Sequence, residues 1–136
     1  MPRDSYVMNR IRAAAVIIKD GKVLLMHRIK DGREYFVFPG GKTEDTETPE
    51  EAMVREVHEE VTLEVLSIDE EIVKRTNDEG NTEIYYLVTS FSGNVALGGE
   101  EKEIMNESNQ YYPEWWDISE ARSLSNLYPA EILSKL

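Results

Sequence analysis

The sequence predicts a layered α/β domain. Three observations carry that reading. Short β-branched apolar runs recur along the chain, one helix is strongly signalled over residues 49–61, and strands lie on both sides of it with short helices closing the chain. At 136 residues, with 40% apolar and 31% charged side chains, the chain fits one domain, taken as 1–136, with a core of its own.

Each element follows from local chemistry. Ile11 to Ile18 and Val23 to Met26 flank Lys19-Asp20-Gly21-Lys22, and two apolar runs around Asp-Gly predict a β-hairpin. Residues 29–34 are polar and are expected to form a loop. Tyr35 to Phe38 reads as a strand stopped by Pro39-Gly40-Gly41. Thr48-Pro49-Glu50-Glu51 then supplies an N-cap, a proline at the first helical position and a glutamate at the third, which is a capping box with acids in the first turn. Met53, Val57 and Val61 form an apolar stripe, so the helix is expected from Pro49 to Val61. Leu63 to Ile68 and Ile72 to Lys74 read as strands, residues 77–81 as a turn, and Thr82 to Phe91 as the longest strand. Residues 92–110 read as an acidic loop and Tyr111 to Trp116 as a late strand. Asp117 to Leu124 and Pro129 to Leu136 read as two short terminal helices. Alternation along the late strand sends one of Trp115 and Trp116 inward and the other outward.

Composition excludes several function classes. A formal charge of −12, spread evenly, repels DNA, RNA and anionic lipid, so neither a nucleic acid nor a membrane is expected as partner. Without cysteine there is no disulfide, thiolate nucleophile or Cys-type zinc site, and His27 and His58 are too few for most histidine-rich metal sites. The apolar run Ala13 to Ile18 is far shorter than the roughly 18 residues of a membrane span, and no signal-peptide cleavage pattern follows it, so the expected location is the cytoplasm. The charge is in fact uneven. Residues 1–42 carry nine Lys/Arg against four Asp/Glu, leaving +5 there and −17 in the remainder. This arrangement suits a bipolar site, with acids for a cation and bases facing an anion.

Glu56, Glu59 and Glu60 stand at helical positions i, i+3 and i+4 and share one face. Three carboxylates so close repel one another unless solvent or a cation relieves them. Carboxylates, waters and phosphate oxygens make up the usual Mg²⁺ shell. Glu47, just before the helix, is placed to pair with Arg55 and fix the loop onto it. An acidic helix face is most often merely solvated, and the order of residues decides otherwise here. Gly41, five residues, Glu47, seven residues, then Arg55-Glu56-Val57, His58, Glu59-Glu60, Val61, Thr62 and Leu63 resembles the Nudix box of the Nudix hydrolase family at eight of nine constrained positions.

The resemblance implies a Nudix-type α/β/α sandwich with a mixed central sheet and a loop-helix-loop. It also implies a hydrolase that cleaves a nucleoside diphosphate linked to another group by water attack on phosphorus. Carried over by position, Glu56, Glu59 and Glu60, with the Gly40 carbonyl, would hold Mg²⁺, or Mn²⁺ in its place. One of Glu56, Glu59 and Glu60, or a later glutamate, would orient or deprotonate the water, and Arg55 and Glu47 would form the ion pair of the box. Arg28 and Lys42 would meet the substrate's phosphates, with Lys30 and Arg33 as weaker candidates. A further carboxylate is expected from the loop holding Glu100, Glu101, Glu103 and Glu107, with Glu101 favoured. Tyr128-Pro129 and Glu131 lie where some nucleotide-sanitising relatives place base-reading groups. One departure is Thr62, where the box has a glycine suited to a left-handed helix end, so the helix is expected to end differently. A second is Thr46, which implies a differently shaped loop from Gly41 to Glu47. Markers of ADP-ribose and dinucleoside polyphosphate enzymes are missing at their usual distances. The expected substrate is therefore a nucleoside triphosphate, with an oxidised or non-standard one included in the expectation, and an ADP-ribose or nucleotide-sugar enzyme is the runner-up. A nucleotide-binding regulator that kept the fold and lost the activity, and a plain acidic metal-binding or interaction domain, are the non-enzyme alternatives. The expected assembly is a monomer or homodimer.

Overall fold

The computed structural model describes residues 11–98 and 105–136. Strands β1 (Arg12–Lys19), β2 (Lys22–Lys30), β3 (Arg33–Val37) and β4 (Gly40–Lys42) precede helix α1 (Pro49–Val61). Strands β5 (Glu64–Ser67), β6 (Glu70–Thr76), β7 (Thr82–Val88), β8 (Ser90–Ser92) and β9 (Asn109–Asp117) follow, then helix α2 (Ile118–Arg122) and a 3-10 turn at Ile132–Lys135.

The main sheet runs β3-β2-β1-β7-β6, with β4 added to β1 and β9 to β2, while β5 and β8 pair separately. It is mixed, because β1 and β7 are parallel and the other pairings antiparallel. The alternation of β1 explains its unbroken apolar run. Ala13, Ala15 and Ile17 join the core under α1, and Ala14 and Val16 join a second core under α2 and the 3-10 turn. Both faces of the sheet are covered, giving the expected α/β/α sandwich. No helix among the described residues is long and apolar enough to cross a membrane.

Several expectations are corrected. Residues 29–34 form a second hairpin, because Asp31-Gly32 (φ 51° and 80°) repeats the geometry of Asp20-Gly21 (φ 53° and 76°). The strand expected over Thr82 to Phe91 breaks after Val88, where the Thr89 N–H and hydroxyl both donate to Asp69, and the chain restarts as β8 beside β5. The terminal helices are shorter than expected. The first gives its opening residue to β9, and the second is a single 3-10 turn burying Ile132 and Leu133, too short to nucleate an α-helix. Both tryptophans are half-buried. Trp115 stacks on Phe91 and Trp116 meets Phe36 edge-on, because each sheet face has its own core.

The connectivity that matters for the site lies between β1 and β2. They pair only through Ile18↔Val23 and Lys19↔Lys22, after which β1 turns to β4 while β2 stays with β3 and β9. The hairpin therefore splays, and its open end is a cleft.

Candidate active site

Helix α1 is set by its first turn. The Thr48 hydroxyl accepts from the Glu51 N–H at 3.1 Å, and the Glu51 carboxylate accepts from the Thr48 N–H at 2.9 Å. Ala52, Met53, Val57 and Val61 are buried on the sheet, which turns Glu56, Glu59 and Glu60 toward β4 and solvent.

Arg55 ties this face together. Its Nε and Nη2 donate to the two Glu47 oxygens at 2.6 and 3.0 Å, its Nη2 also reaches the Lys42 carbonyl, and its Nη1 reaches Glu56 and Glu59 at 3.2 and 3.1 Å. The Arg55 hydrogen bonds, with one from the Glu44 N–H, hold the Glu47 carboxyl below the usual range. Glu47 in turn raises the Arg55 pKa.

Two glycines shape the space beside the glutamates. A Cβ at Gly41 would collide with the Glu56 carboxylate, and one at Gly40 would collide with the backbone of Ala13 and Ala14. The Gly40 N–H lies 3.5 Å from Glu60. Among the described residues no three acidic or histidine side chains already enclose a point where an ion would sit. The donor chemistry nonetheless fits a hard divalent cation. It offers carboxylates of one helix face, a neighbouring backbone carbonyl at Gly40 and a cradle that any Cβ at position 41 would fill.

The far end of α1 departs from expectation. Thr62 adopts the left-handed conformation, φ 63° and ψ 18°, that the expected glycine would have taken, and its N–H closes onto the His58 carbonyl. Its hydroxyl donates to the Asn94 carbonyl at 2.8 Å. Ala96 and Gly98 donate to the carbonyls of Val61 and Glu60, so the chain after β8 caps the helix.

The cleft has two chambers. One, of about 190 Å³, reaches Gly40, Glu60 and Tyr111. The other, of about 380 Å³, reaches Arg75, Asn77, Glu83, Tyr128 and Glu131. Arg12, Arg28 and Val37 line both. Glu83 anchors the larger chamber by accepting from Arg75 at 2.7 Å, Asn77 at 3.0 Å and the Tyr85 hydroxyl at 3.0 Å. Burial would raise its carboxyl pKa, but these bonds outweigh burial and lower it. Arg75 also pairs with Glu131 at 3.1 Å.

Among the expected residues, Arg28 and the segment Tyr128 to Glu131 reach the cleft. The Lys42 side chain is exposed and lines neither chamber. Arg33 stacks on Tyr35 and Tyr128 at 4.9 and 5.6 Å, and Lys30 is exposed at the second turn. His27 lies between Glu34 and Glu114, on β3 and β9, and His58 is exposed. Glu100, Glu101 and Glu103 lie outside the described residues, and Glu107 is exposed. Sequence reasoning missed Arg12, Arg75, Asn77 and Glu83. The available signal was a lone charge at the start of an otherwise apolar strand, as at Arg12 and Glu83.

An α/β/α sandwich with an acidic helix face beside a cleft lined by arginines and carboxylates defines the class, and the comparison with known proteins gives the family. A family model described as NUDIX domain matches residues 8–135, and the chain belongs to that family. It is 35% identical over 91 residues to an 8-oxo-dGTP diphosphatase of Haemophilus influenzae, covering 61% of this chain and 65% of that protein. An 8-oxo-dGTP diphosphatase of Proteus vulgaris is 35% identical over 63 residues, covering 45% of this chain and 56% of that protein. The chain thus spans less than two thirds of the length of these curated relatives. The crystal structure of a MutT NUDIX hydrolase from Burkholderia pseudomallei superposes with a TM-score of 0.73 at 22% identity, covering 94% of this chain and 98% of that one, a likeness of fold.

Proposed function

We propose that this chain is a divalent-metal-dependent pyrophosphohydrolase. It hydrolyses a nucleoside triphosphate, oxidised or otherwise non-standard, to the monophosphate and pyrophosphate. The observation that carries the reading is the acidic face Glu56, Glu59 and Glu60, braced by Arg55 on Glu47, opening beside a cleft that contains Arg12 and Arg28. The relatives named 8-oxo-dGTP diphosphatase support the substrate class.

In this reading Glu56, Glu59, Glu60 and the Gly40 carbonyl hold Mg²⁺, with Mn²⁺ as substitute. The metal supplies charge neutralisation on the phosphate oxygens and lowers the pKa of water. Glu59 is half-exposed, at 50%, against 19% for Glu56. It is the carboxylate we assign to orient the attacking water and take its proton. Glu47 and Arg55 fix the loop onto the helix so that the carboxylates stay in register with β4. Arg28 contacts the phosphates, and the chamber of Tyr128 and Glu131 receives the nucleoside. The partner is a small nucleotide of the cytoplasmic pool, and the net charge of −12 disfavours a polynucleotide.

The test is hydrolysis of a panel of nucleoside triphosphates, ADP-ribose, nucleotide sugars and dinucleotides with Mg²⁺, with Mn²⁺ and with chelator, products being identified. Metal-dependent release of pyrophosphate from a triphosphate is expected, and Glu59→Gln should lower kcat by about 10²–10⁴-fold. Turnover of ADP-ribose alone would replace the substrate assignment. No turnover on any compound would leave a binding protein.

A further inference from the structure

Two guanidinium groups on diverging strands, Arg12 of β1 and Arg28 of β2, each line both chambers. The hydrogen bonds and ring contacts that orient them come from carbonyls and aromatic rings rather than carboxylates, although Glu83 is the register neighbour of Arg12 and Glu60 shares the smaller chamber with both. The Arg12 Nη2 donates to the Phe38 carbonyl at 2.9 Å and its Nη1 lies 3.4 Å from the Gly40 carbonyl. Carbonyl oxygens carry no net charge, so these bonds orient the fork without neutralising it. Arg28 stacks on Tyr111 at 4.2 Å and more loosely on Tyr35 at 5.6 Å, and its Nε is buried with no hydrogen-bond partner. Stacking on a ring face likewise orients a guanidinium without neutralising it. Two pre-oriented cations shared by both chambers suit a phosphate, whose oxygens accept from both forks, better than a neutral ring. Glu60 lines the smaller chamber, and Tyr128 and Glu131 line the larger. A ligand extending from the acidic helix face to the far chamber therefore runs past Arg12 and Arg28, the two cations common to both chambers.

We propose that Arg12 is a phosphate-binding residue that completes, opposite Arg28, a two-sided guanidinium clamp on the substrate's phosphate chain. The substrate class rests on the hydrolase reading above, whereas the clamp rests on the placement of the two arginines alone.

The test measures binding of inorganic pyrophosphate and of a nucleoside monophosphate in chelator by calorimetry, and KM and kcat for a triphosphate with metal. Wild type, Arg12→Gln, Arg12→Lys and Arg28→Gln are compared. Arg12→Gln is expected to weaken both ligands about tenfold, the scale of one charge-assisted contact, and to raise KM more than it lowers kcat. Arg12→Lys should recover part of the loss, because it keeps the charge without the fork. Near-UV circular dichroism of Trp115 and Trp116 reports whether each variant is folded. Should Arg12→Gln unfold, the Lys variant and Arg28→Gln decide. A wild type that binds no pyrophosphate, or folded Arg12 variants with wild-type affinity and KM, would overturn the clamp. Pyrophosphate binding that depends on Arg12 in a protein that hydrolyses no nucleotide would keep the clamp and discard the hydrolase reading. Triphosphate hydrolysis with an unchanged KM in Arg12→Gln would do the reverse.

Discussion

Arg55 grips Glu47 through both carboxylate oxygens, at 2.6 Å from Nε and 3.0 Å from Nη2, while the same guanidinium reaches Glu56 and Glu59. One side chain thus joins the loop before α1 to the acidic face on it. Glu47→Gln keeps the shape and loses the charge. Its expected effect is a fall in kcat of roughly 10–100-fold, the scale of a displaced reacting group, with near-UV dichroism unchanged. The pH dependence has a definite sign. A carboxyl held below its unfolded pKa contributes stability above that pKa, near 4.3, and loses it as pH falls through the folded value. Wild type should therefore exceed Glu47→Gln in urea midpoint at pH 7, with the gap closing below about pH 4.

Gly40 and Gly41 stand side by side and should respond oppositely to alanine. At position 41 the added Cβ meets the carboxylate end of the flexible Glu56 side chain, which can swing away. Gly41→Ala should stay within about 0.5 kcal/mol of wild type in stability and lose affinity for Mn²⁺ by calorimetry. At position 40 the Cβ meets the Ala13 and Ala14 backbone, which cannot yield. Gly40→Ala should cost about 1–3 kcal/mol by overpacking. Equal stability of the two variants would contradict this placement.

Thr62 is a β-branched residue in a left-handed conformation, with its hydroxyl bonded to Asn94. The strain costs about 1–2 kcal/mol, and the hydrogen bond returns about 0.5–1.5 kcal/mol. Thr62→Ala keeps the strained Cβ and loses the bond, and should be about 1 kcal/mol less stable. Thr62→Gly loses both, and should lie within about 1 kcal/mol of wild type. The order Gly above Ala in urea unfolding is the outcome that tests the conformation.

What the sequence made legible was local. The ends of α1 follow from Thr48, Pro49 and Glu51, whose capping chemistry acts within one turn, and the shared face of Glu56, Glu59 and Glu60 follows from helical periodicity. The second hairpin was masked by polar flanks. Both Asp-Gly turns sit between basic residues, Lys19 and Lys22 or Lys30 and Arg33, but beyond them the first has the apolar runs ending at Ile18 and starting at Val23, where the second has His27-Arg28-Ile29 and Glu34. The floor of the cleft was not legible, because Arg12, Glu83 and Arg75 come from β1, β7 and β6. They are neighbours through the registers Arg12↔Glu83 and Arg75↔Glu83, which no local pattern encodes. Thr62 shows that tertiary contact can outweigh backbone preference at a helix end.

His27 gives the chain a titration near neutrality. Its Nδ1 lies 3.0 Å from Glu114 of β9 and its Nε2 2.5 Å from Glu34 of β3, with Phe36 stacked on the ring and Tyr112 at its edge. Glu114 also accepts from the Trp116 indole. Both ring nitrogens face acceptors, and only the imidazolium donates from both. Burial alone would lower the His27 pKa, and the bonds to Glu114 and Glu34 outweigh it and raise it. A raised pKa means that this stability is fully present below about pH 6.5, the unfolded value, and is lost as pH rises through the folded one. The His27 ring proton shift should titrate above 6.5 in the wild type and lower in Glu34→Gln. The urea midpoint of wild type, relative to His27→Gln, should fall between pH 6 and pH 9. A ring that titrates below 6.5 would show that burial, not the two carboxylates, governs this site.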